Sequence, residues 1–584
     1  IKDTLGHFVC AYQLDWANVD RKELEDTFDL MKDADSLGSI MRFEISQDTR
    51  EHLIEAVNAY DAEPKYAEAF KNLIDGFRLI IALTENYHAL VMNPPYMGGG
   101  NMNGVLSKYV KDNYKNGKAD LATVFVEMMG QRTSANGSYA FIIPPSWMFL
   151  STFEGLRKNI IENQSIESLL HLSRGVFGAD FGASSAVIKN TSNANACGTY
   201  FRLVERTFQE FEQSHLRMLF EQTLANHDFK YNFKEYTKDV TELPYSEDGN
   251  RIYYPNVEQM NFEKIPGAPI GYWVTKNMFR SFGMDSVSSV SESRCGMNTG
   301  DNETMIRLWH EISFTNFYDR ASSTEDFHKN GYKYTPYNKG GTARKWYGNL
   351  EYVLKYDRTH YEILLNQGNH LPSRQYYFKP AITWSDVTSS SLGATFRYEP
   401  LGTVFDGSAA VAFVNEENRD YLLGLLNTKY VKMLAKVFNP TLHFKLGDYN
   451  KIPYIESPIF KNEVSQLVQQ NIAISKSDWD SHETSWDFQR NELLSIDADT
   501  YTENIDYKLK KHFEETGEHI SLSPGAPQLG SLEWRMEQYK TKWKRKFMQL
   551  HKNEEELNRQ FIDIYGLQDE LTPDVPLNEI TILQ

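Results

Sequence analysis

The sequence predicts an α/β chain built in parts: a partial Rossmann-like sheet, then a mixed β-rich region, then a helical C-terminal region. Three observations carry that reading. Short apolar runs alternate with helical patterns between residues 89 and 190. From Pro266 to about Pro453, glycines, aromatics and brief strand-like runs dominate. Beyond residue 455 the chain is charged and helical in its periodicity. At 584 residues it exceeds one hydrophobic core, and about three to five domains is the expectation.

Taken in order, residues 51–87 carry apolar positions at helical spacing, interrupted at Pro64. They lead into "ALVM" (89–92), which reads as a buried strand. "DLATVFVEMMGQRT" reads as a helix, Asn136-Gly137 as a turn, and "SYAFIIPPSW" as a strand. "FEGLRKNIIEN" is a helix, and "IESLLHLS" and "SSAVIKN" are strands. These boundaries divide the chain into 1–200, a helical connector at 201–265, a β-rich domain at 266–455 and a helical region at 456–584. The long charged helix of the tail is broken after Gly566.

The totals exclude several classes. A hydrophobic content of 41% with 13% aromatics belongs to globular chains rather than disordered ones. No apolar run reaches the length of a membrane span, so no membrane role is expected. Cys10, Cys197 and Cys295 lie far apart, which indicates neither a disulfide framework nor a metal site and fits a reducing cytoplasm. The net charge of -18 argues against indiscriminate coating of nucleic acid, although local basic surface still permits a DNA enzyme. The chain opens on Ile1 rather than methionine, and is expected to be a fragment of something longer.

The stretch "ALVMNPPYMGGGN" (89–101) is the chemical centre of the sequence. Pro94 forces Asn93 into an extended backbone. Pro94 and Pro95 have fixed φ and no N–H, so their carbonyls only accept. With the Asn93 carboxamide they offer converging acceptors suited to an amine that donates two hydrogens. The exocyclic amine of a nucleobase is such a group. Drawing both its hydrogens toward fixed acceptors localises the nitrogen lone pair, a preorganised electrostatic effect. Tyr96 adds a flat face on which an extruded base stacks, worth about 1–3 kcal/mol. A base is reached only by flipping it out of the duplex. The competing reading is a strand-ending turn.

"NPPY" after an apolar strand resembles the catalytic motif of amino-group DNA methyltransferases, especially the adenine-N6 enzymes. The order that follows, from "ADLATVFVEMMGQRT" through "IIPPSW" to "GVFGADFG" and "SSAVI", is similar to the same family over more than seventy residues. The resemblance implies that Asn93 and the Pro94 carbonyl hold the adenine amine and that Tyr96 stacks on the base. It also implies an aromatic from "GVFGADFG" against the base, with Phe177 the first choice and Phe181 the competitor. It implies S-adenosylmethionine as methyl donor. Residues 1–90 hold no acidic residue followed by a Gly-x-Gly turn, so the Gly-rich cofactor motif is absent. Asp35, in "DADSLGSI", and Asp120 are the cofactor candidates, each with helix capping as the competing role.

"CGMNTGDNETMIRLWHEI", "YNKGGTARKWYGNLEYVL" and "FKPAITWSDVTSSSLGATFRYEPLGTVFD" resemble the target-recognition domain of large single-chain enzymes. These include type IIG restriction–modification proteins and the methyltransferases of BREX phage defence. Lys339, Arg344, Lys345, Lys379 and Arg397 are accordingly the candidates for double-stranded DNA contact. "KTKWKRKF" (540–547) is read as a basic helix along DNA or as an exposed face paired with glutamates, the second being preferred. The resemblance implies an absent amino-terminal part and other phage-defence proteins as partners. The acidic balance suggests salt-sensitive DNA contact confined to a basic cleft, where an acidic DNA mimic from a phage would compete. The expected activity is site-specific adenine-N6 methylation. A type IIG enzyme and a DNA-recognition module without its own catalysis are the alternatives.

Overall fold

The computed structural model describes residues 2–17, 19–63, 67–176, 182–205, 209–238, 242–367, 371–387, 392–439, 443–496, 513–514, 516–517 and 530–583. The chain forms two compact units, Ile1–Val274 and Thr275–Gln584.

The first unit begins with helices Lys2–Tyr12, Arg21–Met31, Gln47–Ala62 and Ala67–Thr84. Asp20 and Ser46 cap two of them, accepting from Lys22 N at 2.8 Å and Thr49 N at 3.2 Å. Pro64, where a break is expected, lies outside the described residues. Phe8, Leu24, Phe28, Leu53, Phe70, Ile74 and Phe77 form the shared core of these helices.

A six-stranded mixed sheet follows. Its strands are β1 (Tyr87–Met92), β2 (Thr133–Ile143), β3 (Ser165–Leu172), β4 (Ala183–Lys189), β5 (Cys197–Arg202) and, after the two-residue pair β6 (Lys230–Tyr231) and β7 (Asn250–Arg251), β8 (Tyr253–Glu258). The order is β1-β2-β4-β3-β5-β8. The β1–β2 pair is parallel, with Met92 opposite Phe141, and β4 runs antiparallel between β2 and β3. Helices Gly104–Asn113 and Leu121–Arg132 connect β1 to β2, and Glu154–Asn163 connects β2 to β3.

Three expectations change here. β1 is not a buried strand but an edge strand, since β2 is its one neighbour among the described residues. Leu90 and Met92 pack on the core while Val91 is 83% exposed. Asn136-Gly137 is not a turn ahead of a strand. β2 runs through it, with Asn136 at φ 65°, and a Cβ on Gly137 would meet His88 O at 2.8 Å. The stretch 201–265 is not a helical connector. It holds the helix Gln213–Ala225, but also β8, which closes the far edge of the sheet.

The second unit contains two four-stranded sheets. The strands are β9 (Ser291–Arg294), β10 (Ile306–Leu308), β11 (Tyr334–Asn338), β12 (Tyr352–Lys355), β13 (Ala381–Ser385), β14 (Phe396–Glu399), β15 (Val404–Phe405) and β16 (Ala409–Val414). One sheet is ordered β10-β12-β11-β15 and the other β14-β13-β16-β9. Helices Glu416–Leu426, Lys461–Trp479 and Leu532–Tyr565 pack together at Gly424, where a Cβ would lie 2.9 Å from Val464 and 3.1 Å from Val468. Gly566, at φ 65°, ends the last helix. The β-rich and helical regions on either side of residue 455 fall in the same compact unit. Lys345 N, for example, donates to Thr581 Oγ1 at 3.0 Å.

Candidate functional site

The loop Asn93–Tyr96 leaves the end of β1. Pro94 is buried and anchors it, while Asn93 and Pro95 are exposed. Tyr96 is 37% exposed, so its ring is open to a partner. The Tyr96 hydroxyl shares its one hydrogen between Asn93 Oδ1 at 3.0 Å and the carbonyl of Ile142, at the end of β2, at 3.2 Å. The first of these bonds selects the oxygen end of the Asn93 carboxamide on the tyrosine side. A carboxamide oxygen accepts two hydrogen bonds, so Oδ1 has capacity for a second donor. Partial burial raises the Tyr96 hydroxyl pKa, keeping the group a neutral donor.

A short zipper fixes the other side of the loop. Leu121 N donates to Met97 O at 2.9 Å, and Gly99 N to Ala119 O at 2.9 Å. The Asp120 carboxylate caps the helix Leu121–Arg132 through Ala122 N at 2.8 Å and reaches Met97 N at 3.4 Å. Asp120 is thus committed to backbone donors.

Following β2, the Pro145–Trp147 turn is locked from within. Trp147 Nε1 donates to Ser184 Oγ at 2.9 Å. The Arg157 guanidinium is buried and donates to the carbonyls of Trp147, Leu150, Gly267 and Ala268 at 2.6–2.9 Å. Burial lowers its pKa to about 10, and four carbonyls take the place of a counter-ion.

The remaining sequence candidates separate. Asp35 is exposed, on the four-residue helix Ala34–Leu37, next to Ser36, whose Oγ accepts from Asn103 Nδ2 at 3.3 Å. Asp120 thus uses its Oδ1 as a helix cap, the competing role, while Asp35 stands exposed on its short helix. Phe177 and its competitor Phe181 lie outside the described residues.

Of the five DNA candidates, three are corrections. Arg344 donates to Tyr347 O at 2.8 Å and pairs with Asp478 at 2.5 Å. Lys345 is buried against Glu554 at 2.6 Å. Arg397 is buried beside Asn338, Gly340 and Glu399, and its Nη2 donates to Gly340 O at 3.2 Å. These cations face the interior because each meets an internal carboxylate or carbonyl. Lys339 and Lys379 stay at the surface, over the rings of Tyr352 and Tyr376 at 5.6 and 5.3 Å. The basic run 540–547 follows the preferred reading. Lys540 pairs with Glu537 and Lys542 with Glu492, and Trp543 is buried, donating to Glu492 at 2.7 Å.

Sequence reasoning missed one group. Lys108, Lys111, Lys115 and Lys118 are all exposed, and among the described residues none has an ion-pair partner. The signal was present: residues 98–119 hold four lysines against one aspartate, in a chain of charge -18.

Residues 12–177 match the model of the Eco57I restriction-modification methylase family. The adenine-specific methyltransferase PglX of Lacticaseibacillus casei (strain Zhang) is 30% identical over 596 residues, covering 97% of this chain and 44% of that protein. The adenine-specific methyltransferase BrxX of Escherichia coli O9:H4 (strain HS) is 32% identical over 495 residues, covering 82% and 37%. Among solved structures, the type IIL restriction-modification enzyme MmeI in complex with DNA aligns at 10% identity and a TM-score of 0.41, covering 78% of this chain and 57% of that one. Residues 12–177, within the first unit, are thus similar to the Eco57I methylase family. The chain is a homologue of PglX and BrxX, and it spans less than half the length of these curated relatives.

Proposed function

We propose that this chain carries the base-gripping and target-reading parts of a site-specific DNA adenine-N6 methyltransferase of a bacterial phage-defence system, acting on double-stranded DNA in the cytoplasm. The observation that carries this reading is the loop at the end of β1. There a buried proline, a carboxamide oriented by Tyr96 and an open tyrosine ring lie within four residues. Asn93 Oδ1 and the Pro94 carbonyl accept the two hydrogens of the target amine. Tyr96 stacks on the extruded base, and the loop's fixed ends keep the acceptors in place as the base enters. The methyl group comes from S-adenosylmethionine, the donor implied by the resemblance.

Replacing Asn93 tests the reading. Asn93→Ala is expected to reduce methyl transfer by at least about a hundredfold, the scale of removing one preorganised polar group at the reacting atom, while DNA affinity stays close to that of the parent. Modified bases are read by sequencing host DNA with and without the gene. Retained adenine methylation in Asn93→Ala would exclude this role for Asn93, and a cytosine-N4 product would exclude the adenine assignment.

A further inference from the structure

We propose that the segment 108–118 is a phosphate-binding strip that holds the DNA backbone beside the loop Asn93–Tyr96, through Lys108, Lys111, Lys115 and Lys118. This inference rests on the reading above and adds to it the surface that seats the strand. None of the four lysines belongs to the "NPPY" loop itself.

The strip is displayed by structure as well as by composition. The helix Gly104–Asn113 buries Leu106 and Val110, and the same side continues into the buried Tyr114. Lys108 and Lys111 fall on the opposite, solvent side of the helix, as the 3.6-residue repeat requires. Lys115 and Lys118 stand on the turn that follows, and that turn is built rather than loose. The Glu127 carboxylate accepts from Gly117 N at 2.7 Å and Asn116 N at 3.1 Å. Thr123 Oγ1 donates to Gly117 O at 2.7 Å. A Cβ on Gly117 would lie 2.4 Å from Thr123 O, so glycine alone fits there.

The Glu127 carboxylate, which holds the turn that carries Lys115 and Lys118, is engaged by the backbone N–H groups of Asn116 and Gly117. Asp120 is spent in the same way on Ala122 N and Met97 N. Asp112, the one acid inside the strip, and Asp35 are exposed and unpaired with these lysines. Four ammonium groups therefore face solvent without an internal partner among the described residues, in a chain whose net charge repels nucleic acid.

Position supplies the partner. The strip is continuous with the loop through the zipper of Met97–Gly99 on Ala119–Leu121, so the Lys118 carbonyl would lie 3.7 Å from a Cβ on Gly99. A Cβ on Gly98 or on Gly100 would meet nothing within 4 Å, which leaves the approach to the loop open. An extruded base stays tethered to its own backbone, whose flanking phosphates must rest on the protein close by.

The test uses the full chain and a fluorescently labelled random-sequence DNA duplex, titrated at several salt concentrations. The quadruple variant Lys108→Ala, Lys111→Ala, Lys115→Ala, Lys118→Ala is expected to lower the slope of log K against log salt by about 0.9 for each phosphate no longer neutralised, up to about 3–4 in all. A charge-matched control, Arg21→Ala, Lys22→Ala, Lys32→Ala, Lys71→Ala, alters exposed cations elsewhere in the same unit and is expected to keep the parent slope. An unchanged slope in the strip variant overturns the proposal, as does an equal fall in the control. A parent that binds duplex with a salt-dependent slope but yields no methylated base would count against the proposed function and leave the strip standing.

Discussion

Two groups of cations, one in each unit, are placed in opposite ways. In the first, Lys108, Lys111, Lys115 and Lys118 stand exposed, and the carboxylates of Glu127 and Asp120 accept from backbone donors. In the second, Arg344, Lys345 and Arg397 turn inward, where Asp478, Glu554 and the Asn338–Gly340 turn receive them. Both sets sit in Gly- and Asn-rich stretches that look alike as sequence. What separates them is the placement of acids distant in the chain: Glu554 is 209 residues from Lys345. Whether a basic residue is left available at the surface depends on where the fold places the carboxylates, and composition alone does not report that.

The largest expected effect that sharpens the contrast is at Lys345. Lys345→Ala strands the Glu554 carboxylate, which also accepts from Trp346 Nε1 at 2.8 Å. The expected cost is about 3–5 kcal/mol, read as a lower urea midpoint. A shift below about 1 kcal/mol would mean that the pair is solvated after all.

A second test sets the units against each other in pH. Burial lowers the His171 pKa to about 3, so its neutral form stabilises the first unit above its usual value near 6.5, and that stability is lost as pH falls toward 3. Burial raises the Glu399 pKa to about 7 in the second unit, despite the attraction of Arg397. Its contribution is complete below about 4.5 and is lost as pH rises through 7. Against the parent, Glu399→Gln should therefore gain in melting temperature as pH rises from 4.5 to 7, whereas His171→Gln should gain as pH falls below 6.5. Parallel trends in the two variants would break the comparison.

The smallest effect belongs to the strip. The quadruple lysine variant should unfold within about 0.5 kcal/mol of the parent in urea, because these side chains hold no internal carboxylate. A clear loss of stability would move these lysines into the same group as Lys345.

Much of the sheet was legible because its signals are local. Apolar runs, the helix 121–132 and the break after Gly566 follow from residues close in sequence. The acceptor loop was legible too, since two prolines constrain their neighbours whatever surrounds them. Three things depended on distant chain. β1 reads as buried because Leu90, Val91 and Met92 are all apolar, and nothing in those residues reveals that one face lacks a cover. β8 is separated by about fifty residues from its partner β5, so 201–265 looks like a helical linker. The fate of Arg344, Lys345 and Arg397 is decided by acids and carbonyls brought in by the fold.

Among the described residues β1 has β2 as its one neighbour and leaves its other side open. A strand with one unpaired side and an uncovered valine is a template onto which another strand can add. Nothing at that edge is charged from Ala89 to Met92. Colloidal stability then rests on mutual repulsion between chains carrying -18 each, a long-range force that salt shortens. Ionic strength thus acts on two opposed terms at once: it loosens the grip on polyanions and relaxes the repulsion that keeps exposed edges apart.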